Sequence, residues 1–300
     1  MRIDKLAVVG VGLIGGSCAL ALKRAGAVGT VVGIGRTAAN LDDALHLGII
    51  DRALRMDQAW SGELHDADVV LVAAPVAQYP VLFAAIVPAI GAHTVVTDAG
   101  STKQDVIRAA RATFGAALPR FVPAHPIAGT EHTGAAAAFA SLFDGRNVVL
   151  APLPETSRAA TERVVSLWQT CGANVLTMDA ARHDAVFAAV SHLPHVLAFA
   201  LVAELAARPD AAEYFDNAAS GFRDFTRIAA GSPEMWRDIA LANRDALLGE
   251  IDRYGEALGH ARGLVATGDG EGLVALFRRA SSARRAWELR RTLPIVEDKG

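Results

Sequence analysis

Four short segments of this 300-residue sequence hold side chains able to do chemistry. The first is Pro123-Ala124-His125-Pro126-Ile127-Ala128-Gly129-Thr130-Glu131. His125 is the residue type that exchanges a proton near neutral pH. Pro126 keeps it out of helical geometry and holds it in a rigid turn directly after a strand. A lone histidine is usually structural; one fixed at the edge of a sheet is better placed to act as a base. The second segment is Asp98-Ala99-Gly100-Ser101-Thr102-Lys103, where Ser101 can hydrogen-bond a ligand or cap the next helix. The third is Ser191-His192-Leu193-Pro194-His195. Its histidines, three apart, can share a helical face, and Pro194 should kink the helix and free a carbonyl. No further histidine or cysteine has ligand spacing, so no metal is expected. The fourth runs from Ser220 through Arg223, Asp224 and Arg227 to Ala229, followed by Ser232-Pro233-Glu234-Met235-Trp236. Charges among apolar residues suggest partial burial. A buried guanidinium needs an anion: Asp224, Glu131 or a carboxylate on a ligand. A purely structural ion pair would read the same way.

A fifth motif binds rather than reacts. Gly10-Val11-Gly12-Leu13-Ile14-Gly15 lies between a strand and a helix, the context a dinucleotide-binding turn requires. Gly10 allows the tight turn, Gly12 lets a pyrophosphate approach the backbone, and Gly15 lets helix and strand pack closely. The helix N-terminus then offers free N–H groups and a positive dipole end. The acid that usually holds the ribose should come ~20 residues later. That place holds Gly35-Arg36-Thr37, and no Asp or Glu occurs from Lys5 to Leu41. Arg36 could pair with a 2′-phosphate, which favours NADP, with NAD left open. Pro75, after the strand at residues 68–74, occupies an edge position where backbone commonly faces a cofactor.

Alternating elements must position these groups. Residues 5–10, 30–34, 68–74 and 94–97 read as strands, with 120–123 and 147–151 closing the series. Helical stretches cover 13–25, 40–47, the segment after Pro75 to Ile90, and 102–114. Strands apolar throughout and separated by helices imply a parallel sheet covered on both faces. After about Met178 the pattern is helical, over 179–208, 222–230, 233–264 and 272–291. The expected class is α/β: an N-terminal Rossmann-type doubly wound sheet in 1–178, then an all-helical domain in 179–300. The boundary is soft, since 174–177 reads as a last strand. The polar tail from Pro294 to Gly300 is expected to fray.

Composition narrows the function. Hydrophobic residues make up 52% of the chain, enough for a large core, and the net charge of -3 gives no reason to expect nucleic acid. No uninterrupted apolar run of membrane length is seen, so no membrane partner is expected. Cys18 and Cys171 fit no CxxC or zinc spacing, and a reduced, cytoplasmic setting follows as the default.

Taken together, GVGLIGGS, DAGSTK, AHPIAGTEHTG, HD with SHLPH, and GFRDFTRIA with SPEMW resemble the prephenate dehydrogenase family, which includes arogenate and cyclohexadienyl dehydrogenases. The match covers nearly the whole chain in the family's order, and HPIAGTE and GFRDFTR are its specific blocks. The resemblance implies a helical domain that forms a homodimer, a small-molecule substrate, and oxidative decarboxylation with hydride transfer to NAD(P). It implies no regulatory ACT domain and no chorismate mutase domain. By motif position, His125 is the catalytic histidine and Ser101 bonds both it and the substrate hydroxyl. Arg227 holds a substrate carboxylate, and His195 lines the pocket with Thr130, Glu131, Asp224 and Trp236. The departure is Gly35-Arg36, where NAD-specific members carry an acid. Two other readings stay open: a β-hydroxyacid dehydrogenase or imine reductase of the same plan, and a non-catalytic nucleotide sensor. Release of carbon dioxide with NAD(P)H formation separates them.

Overall fold

The computed structural model describes residues 2–292; the tail expected to fray lies outside them. The N-terminal part runs β1 (Ile3–Val9), α1 (Leu13–Arg24), β2 (Val28–Gly35), α2 (Ala38–His46), β3 (Arg52–Arg55), β4 (Val69–Val72), α3 (Tyr79–Ile86), β5 (Val95–Asp98), α4 (Gln104–Thr113) and β6 (Phe121–Val122). These six strands form one parallel sheet in the order β3-β2-β1-β4-β5-β6. Strand order reverses between β1 and β4, which opens a crevice beyond their carboxyl ends.

Alternation along each strand feeds two cores. Leu6, Val8, Val31, Val69 and Leu71 face one side, against Cys18, Ala19 and Leu22 of α1. Ala7, Val9, Ile34, Val70 and Val72 face the other, against Phe83 of α3 and Val106 and Ala110 of α4. Because both faces are buried, the strands read as unbroken apolar runs. Strand β3 was not expected: it is an edge strand, and its Arg52 and Arg55 are exposed. The charges that protect an edge also hide it from a hydrophobic pattern.

The expectation of a uniformly parallel sheet fails after β6. Pro123, which has no N–H to donate, separates β6 from β7 (Ala124–Pro126). Strand β7 starts a second sheet with β8 (Asn147–Leu150) and β9 (Asn174–Thr177), in which β7 and β8 are antiparallel. His125 therefore lies within a strand, opposite Val149, rather than after one. Helix α5 (Arg158–Thr170) packs Val164, Leu167 and Trp168 into the first core.

From α6 (Ala180–Phe187) the chain is helical, as expected. A π-helical segment, Ala188–His192, leads directly into α7 (Leu193–Ala206). The disturbance expected from Pro194 takes this form: the ladder widens just before the proline, at the cleft wall. By length and mean apolarity alone, Ala180–Ala206 would suffice to cross a membrane, but Arg182, Asp184, Pro194 and Glu204 interrupt it, so it is not the unbroken apolar run that the sequence was read to lack. His183, Asp184 and His192 on it are nevertheless buried in protein. Next come α8 (Ala211–Asp216), α9 (Ser220–Thr226), α10 (Pro233–Ala242), α11 (Arg244–Thr267) and α12 (Gly270–Thr292). The helix expected over 233–264 breaks at buried Asn243, whose side-chain amide donates to the Asp184 carbonyl (2.8 Å). The chain divides into two compact units, Met1–Leu247 and Leu248–Gly300. All the candidate site residues belong to the first.

Candidate active site

The glycine turn has the geometry its spacing implies. Gly10 adopts φ +100°, and a Cβ there would meet the Ala73 carbonyl oxygen at 2.5 Å. A Cβ on Gly15 would lie 2.4 Å from the Gly10 oxygen, so strand and helix pack at backbone contact. A Cβ on Gly12 would meet nothing within 4 Å, and Gly12 starts α1 with no side-chain cap. The first N–H groups of α1 are thus uncapped, and Gly12, Leu13 and Ile14 line open space, as an incoming phosphate requires.

Across the crevice, His125 is half-buried and tied into a chain of polar groups. Its Nδ1 lies 2.8 Å from Nε2 of His183, and His183 Nδ1 lies 2.8 Å from Oδ1 of Asp184. The Asp184 carboxylate also accepts the N–H groups of Lys103 (2.8 Å) and Gln104 (2.9 Å) at the start of α4. It thereby does the capping that Ser101 was expected to do. Burial would raise its pKa, but the His183 bond and the two N–H groups outweigh this and lower it. An ionised carboxylate only accepts, so His183 Nδ1 carries the proton and His183 Nε2 accepts from His125 Nδ1. That leaves His125 Nε2 as a free lone pair. Burial, then the positive potential of His183, Lys103 and His192, holds His125 well below the ordinary histidine pKa, so it is neutral at physiological pH.

Lys103 and Asp98 form an ion pair beneath this chain, both fully buried, at 2.6 Å. The same Asp98 accepts the N–H groups of Gly100 (2.8 Å) and Ala124 (3.0 Å). One carboxylate therefore pins both the loop that carries Ser101 and the strand that carries His125.

The helical wall contributes the rest. His195 donates Nδ1–H to the Ser191 carbonyl (2.9 Å) and stacks on Trp236 with ring centroids 3.4 Å apart. Arg227 Nη1 donates to Glu131 Oε2 at 3.1 Å, and both side chains are well exposed. Glu131 is held below the usual carboxylate range, first by its own backbone N–H and also by Arg227. His192 turns away from the cleft: Asn243 binds its Nδ1, and burial pushes its pKa down to about 4. Among the described residues no group of histidines, cysteines and acids is arranged to hold a metal.

A cleft of about 600 Å³ joins these parts. Of the expected residues, Gly12, Leu13, Ile14, Ser101, His125, Thr130, Glu131, His195, Arg227 and Trp236 line it. Gly10 and Gly15 shape the turn behind it. Pro75 does not line the cleft; its carbonyl accepts the Gln78 N–H of a 3-10 turn. Arg36 and Thr37 lie outside it, at the carboxyl end of β2, with Arg36 exposed. Asp224 is a correction. It is 78% exposed, off the cleft, with Arg223 as its nearest cation at 3.9 Å, because the short α9 turns both charges to solvent. The partial burial expected for Arg223, Asp224 and Arg227 is not found in any of the three. The sequence reading missed the roles of His183 and Asp184, which it had only as an HD pair. It also missed Phe187, whose ring packs on both His125 (4.9 Å) and His183 (4.5 Å).

Known proteins resemble this chain along most of its length. The model for the nucleotide-binding domain of prephenate dehydrogenase matches residues 18–177, and that for its dimerization domain matches 179–279. Prephenate dehydrogenase of Bacillus subtilis is 36% identical over 289 residues, covering 96% of this chain and 77% of the relative. Cyclohexadienyl dehydrogenase of Zymomonas mobilis is 35% identical over 292 residues, covering 94% and 95%. The crystal structure of prephenate dehydrogenase from Aquifex aeolicus, in complex with hydroxyphenyl propionate and NAD+, superposes with a TM-score of 0.87. That pair shares 33% identity and covers 95% of this chain and 99% of the other. A glycine turn, a neutral histidine and an arginine meeting in one cleft, in a chain so related throughout, place it in the prephenate dehydrogenase family.

Proposed function

We propose that this chain oxidatively decarboxylates prephenate, arogenate or both, with NADP favoured over NAD, as a homodimer in the cytoplasm. The observation that carries the reading is that His125 and Arg227 line one cleft whose far end is the glycine turn. When bound, the nicotinamide supplies the hydride acceptor. Gly12, Leu13 and Ile14 would hold the pyrophosphate end, where open space and uncapped N–H groups fit it.

The residues of this chain do the rest. His125 Nε2 takes the proton of the ring hydroxyl as the carbonyl forms. Ser101, on the same cleft wall, orients that hydroxyl. Arg227 donates one N–H to Glu131 and keeps others for a substrate carboxylate. His195 and Trp236 form a flat wall for the ring. Loss of the second carboxylate as carbon dioxide makes the ring aromatic, so positioning and electrostatics are most of what the protein must supply. The product is 4-hydroxyphenylpyruvate from prephenate, or tyrosine from arogenate. The direct test is a steady-state assay with both substrates and both cofactors. Absence of carbon dioxide release and NAD(P)H formation in every combination would reject the reading.

Arg227→Ala is expected to raise KM for substrate about 10–100-fold, the worth of a charged hydrogen bond, with kcat within a few-fold. Unchanged KM with lost kcat would assign Arg227 another role. The NADP preference is supported by exposed Arg36 at the end of β2 and by the lack of acids from Lys5 to Leu41. Arg36→Ala should therefore weaken NADP about 10–100-fold and NAD much less. Equal effects on both would remove the preference.

The functional boundary is proposed at 178/179, with the helical part as substrate and dimerisation domain. Apolar side chains left exposed on its helices, among them Leu201, Phe215, Phe225 and Leu241, support burial against a second copy.

A further inference from the structure

The mechanism above uses only one nitrogen of His125. The other ends in a second imidazole and a carboxylate, and none of the activity so far described requires them. We propose that His183 is a positioning residue that receives the proton His125 gives up, so that the positive charge of the reaction rests on His183 beside Asp184. The inference rests on the dehydrogenase reading and deepens it.

The geometry supports a two-step proton transfer. The hydroxyl O–H bond breaks and an Nε2–H bond forms on His125. The His125 Nδ1–H bond then breaks, and an Nε2–H bond forms on His183, 2.8 Å away. His125 ends neutral in its other tautomer, and His183 ends as a cation. The electron pair of the oxidised C–H bond goes to the bound dinucleotide; the pair left behind by carbon dioxide makes the ring oxygen a phenolate, which takes the stored proton back through His125, so atoms and charge balance. Among the described residues only His183 has an anion in contact, Asp184 at 2.8 Å, and that anion is locked by two backbone N–H groups at the start of α4. His125 has Phe187 on one side and the reacting ring on the other, a poor place to leave a charge.

The charged groups around the pair favour a cation on His183 over one on His125. Lys103, before α4, disfavours a charge on either ring, and Asp98 on β5, 2.6 Å from it, counters that at His183. On the π-helical segment lies His192, bound at Nδ1 by Asn243. Across the cleft are His195, whose Nδ1 is spent on Ser191, and Glu131, spent on Arg227. Among the described residues Asp184 is left as the one anion in contact with either ring. Burial lowers the pKa of both histidines, but for His183 the Asp184 bond opposes the fall.

His183→Gln tests the idea, because glutamine can still accept from His125 through its side-chain oxygen but cannot take a proton. The proton must then stay on His125. Plateau kcat should fall about 10–100-fold. The acid limb of kcat/KM should move down by about one pH unit, because the paired site is lost. Dinucleotide affinity should stay within two-fold. A limb that stays at the wild-type pH, whatever the plateau, overturns the relay. Should the variant fail to fold, the wild-type protein labelled with ¹⁵N-histidine decides. The His183 ring should protonate at higher pH than His125, and His125 should carry its proton on Nδ1. Protonation of His125 first, or an Nε2–H tautomer on it, overturns the proposal. That titration needs no substrate, so it fails or succeeds independently of the assay that tests the dehydrogenase reading.

Discussion

His125→Asn is expected to lower kcat by about 10²–10⁴-fold, the usual cost of removing a general base, while dinucleotide binding changes little. Asparagine can place its side-chain N–H where Nδ1 was, so the bond to His183 can persist, but nothing replaces the Nε2 lone pair. The glycine turn that would hold the dinucleotide belongs to β1 and α1 and makes no bond to His125. Steady-state turnover together with a direct binding titration separates the two effects, and wild-type turnover in the variant would reject His125 as the base. The pH profile carries a second check, on the pair His125 and His183. Burial depresses the pKa of both rings, so the neutral pair the reaction needs persists below the ordinary histidine value of about 6.5. Activity should therefore rise with pH and level off before that value. A plateau reached only well above neutrality would mean that a different group limits the rate.

Lys103→Met is expected to destabilise the protein by about 3–5 kcal/mol, because it strands the Asp98 carboxylate in a site with no solvent. The damage should also reach the site, since Asp98 pins the N–H groups of Gly100 and Ala124. The double variant Asp98→Asn with Lys103→Met should recover part of the loss, as it removes the unpaired charge and keeps an acceptor. Urea unfolding of the two variants and the wild type measures this. A Lys103→Met midpoint equal to wild type would show that Asp98 finds another partner or a water path.

The parts read well from sequence are those whose physics is local. The turn at Gly10, Gly12 and Gly15 was readable because each glycine answers a separate backbone demand, two of them seen as contacts near 2.5 Å that a Cβ would violate. Strands β1, β4 and β5 were readable because both their faces are buried. Strand β3 was not, since an edge strand with Arg52 and Arg55 on it carries no apolar period. Ser101 was a reasonable helix cap by residue type. The cap that forms instead, Asp184, lies 80 residues beyond Gln104, whose N–H it accepts, and no local rule could find it.

The same division runs through the site. Residue type and spacing alone determined that a phosphate-binding turn, a poised imidazole and a guanidinium were present, because glycine, histidine and arginine each announce a chemistry. Tertiary structure decided which of them meet. It turned Asp224 out to solvent, gave Arg227 to Glu131, and joined His125 to His183 across 58 residues. It also decided the proton positions, since a tautomer depends on what each ring nitrogen touches, and that follows only from how β7 packs against α6.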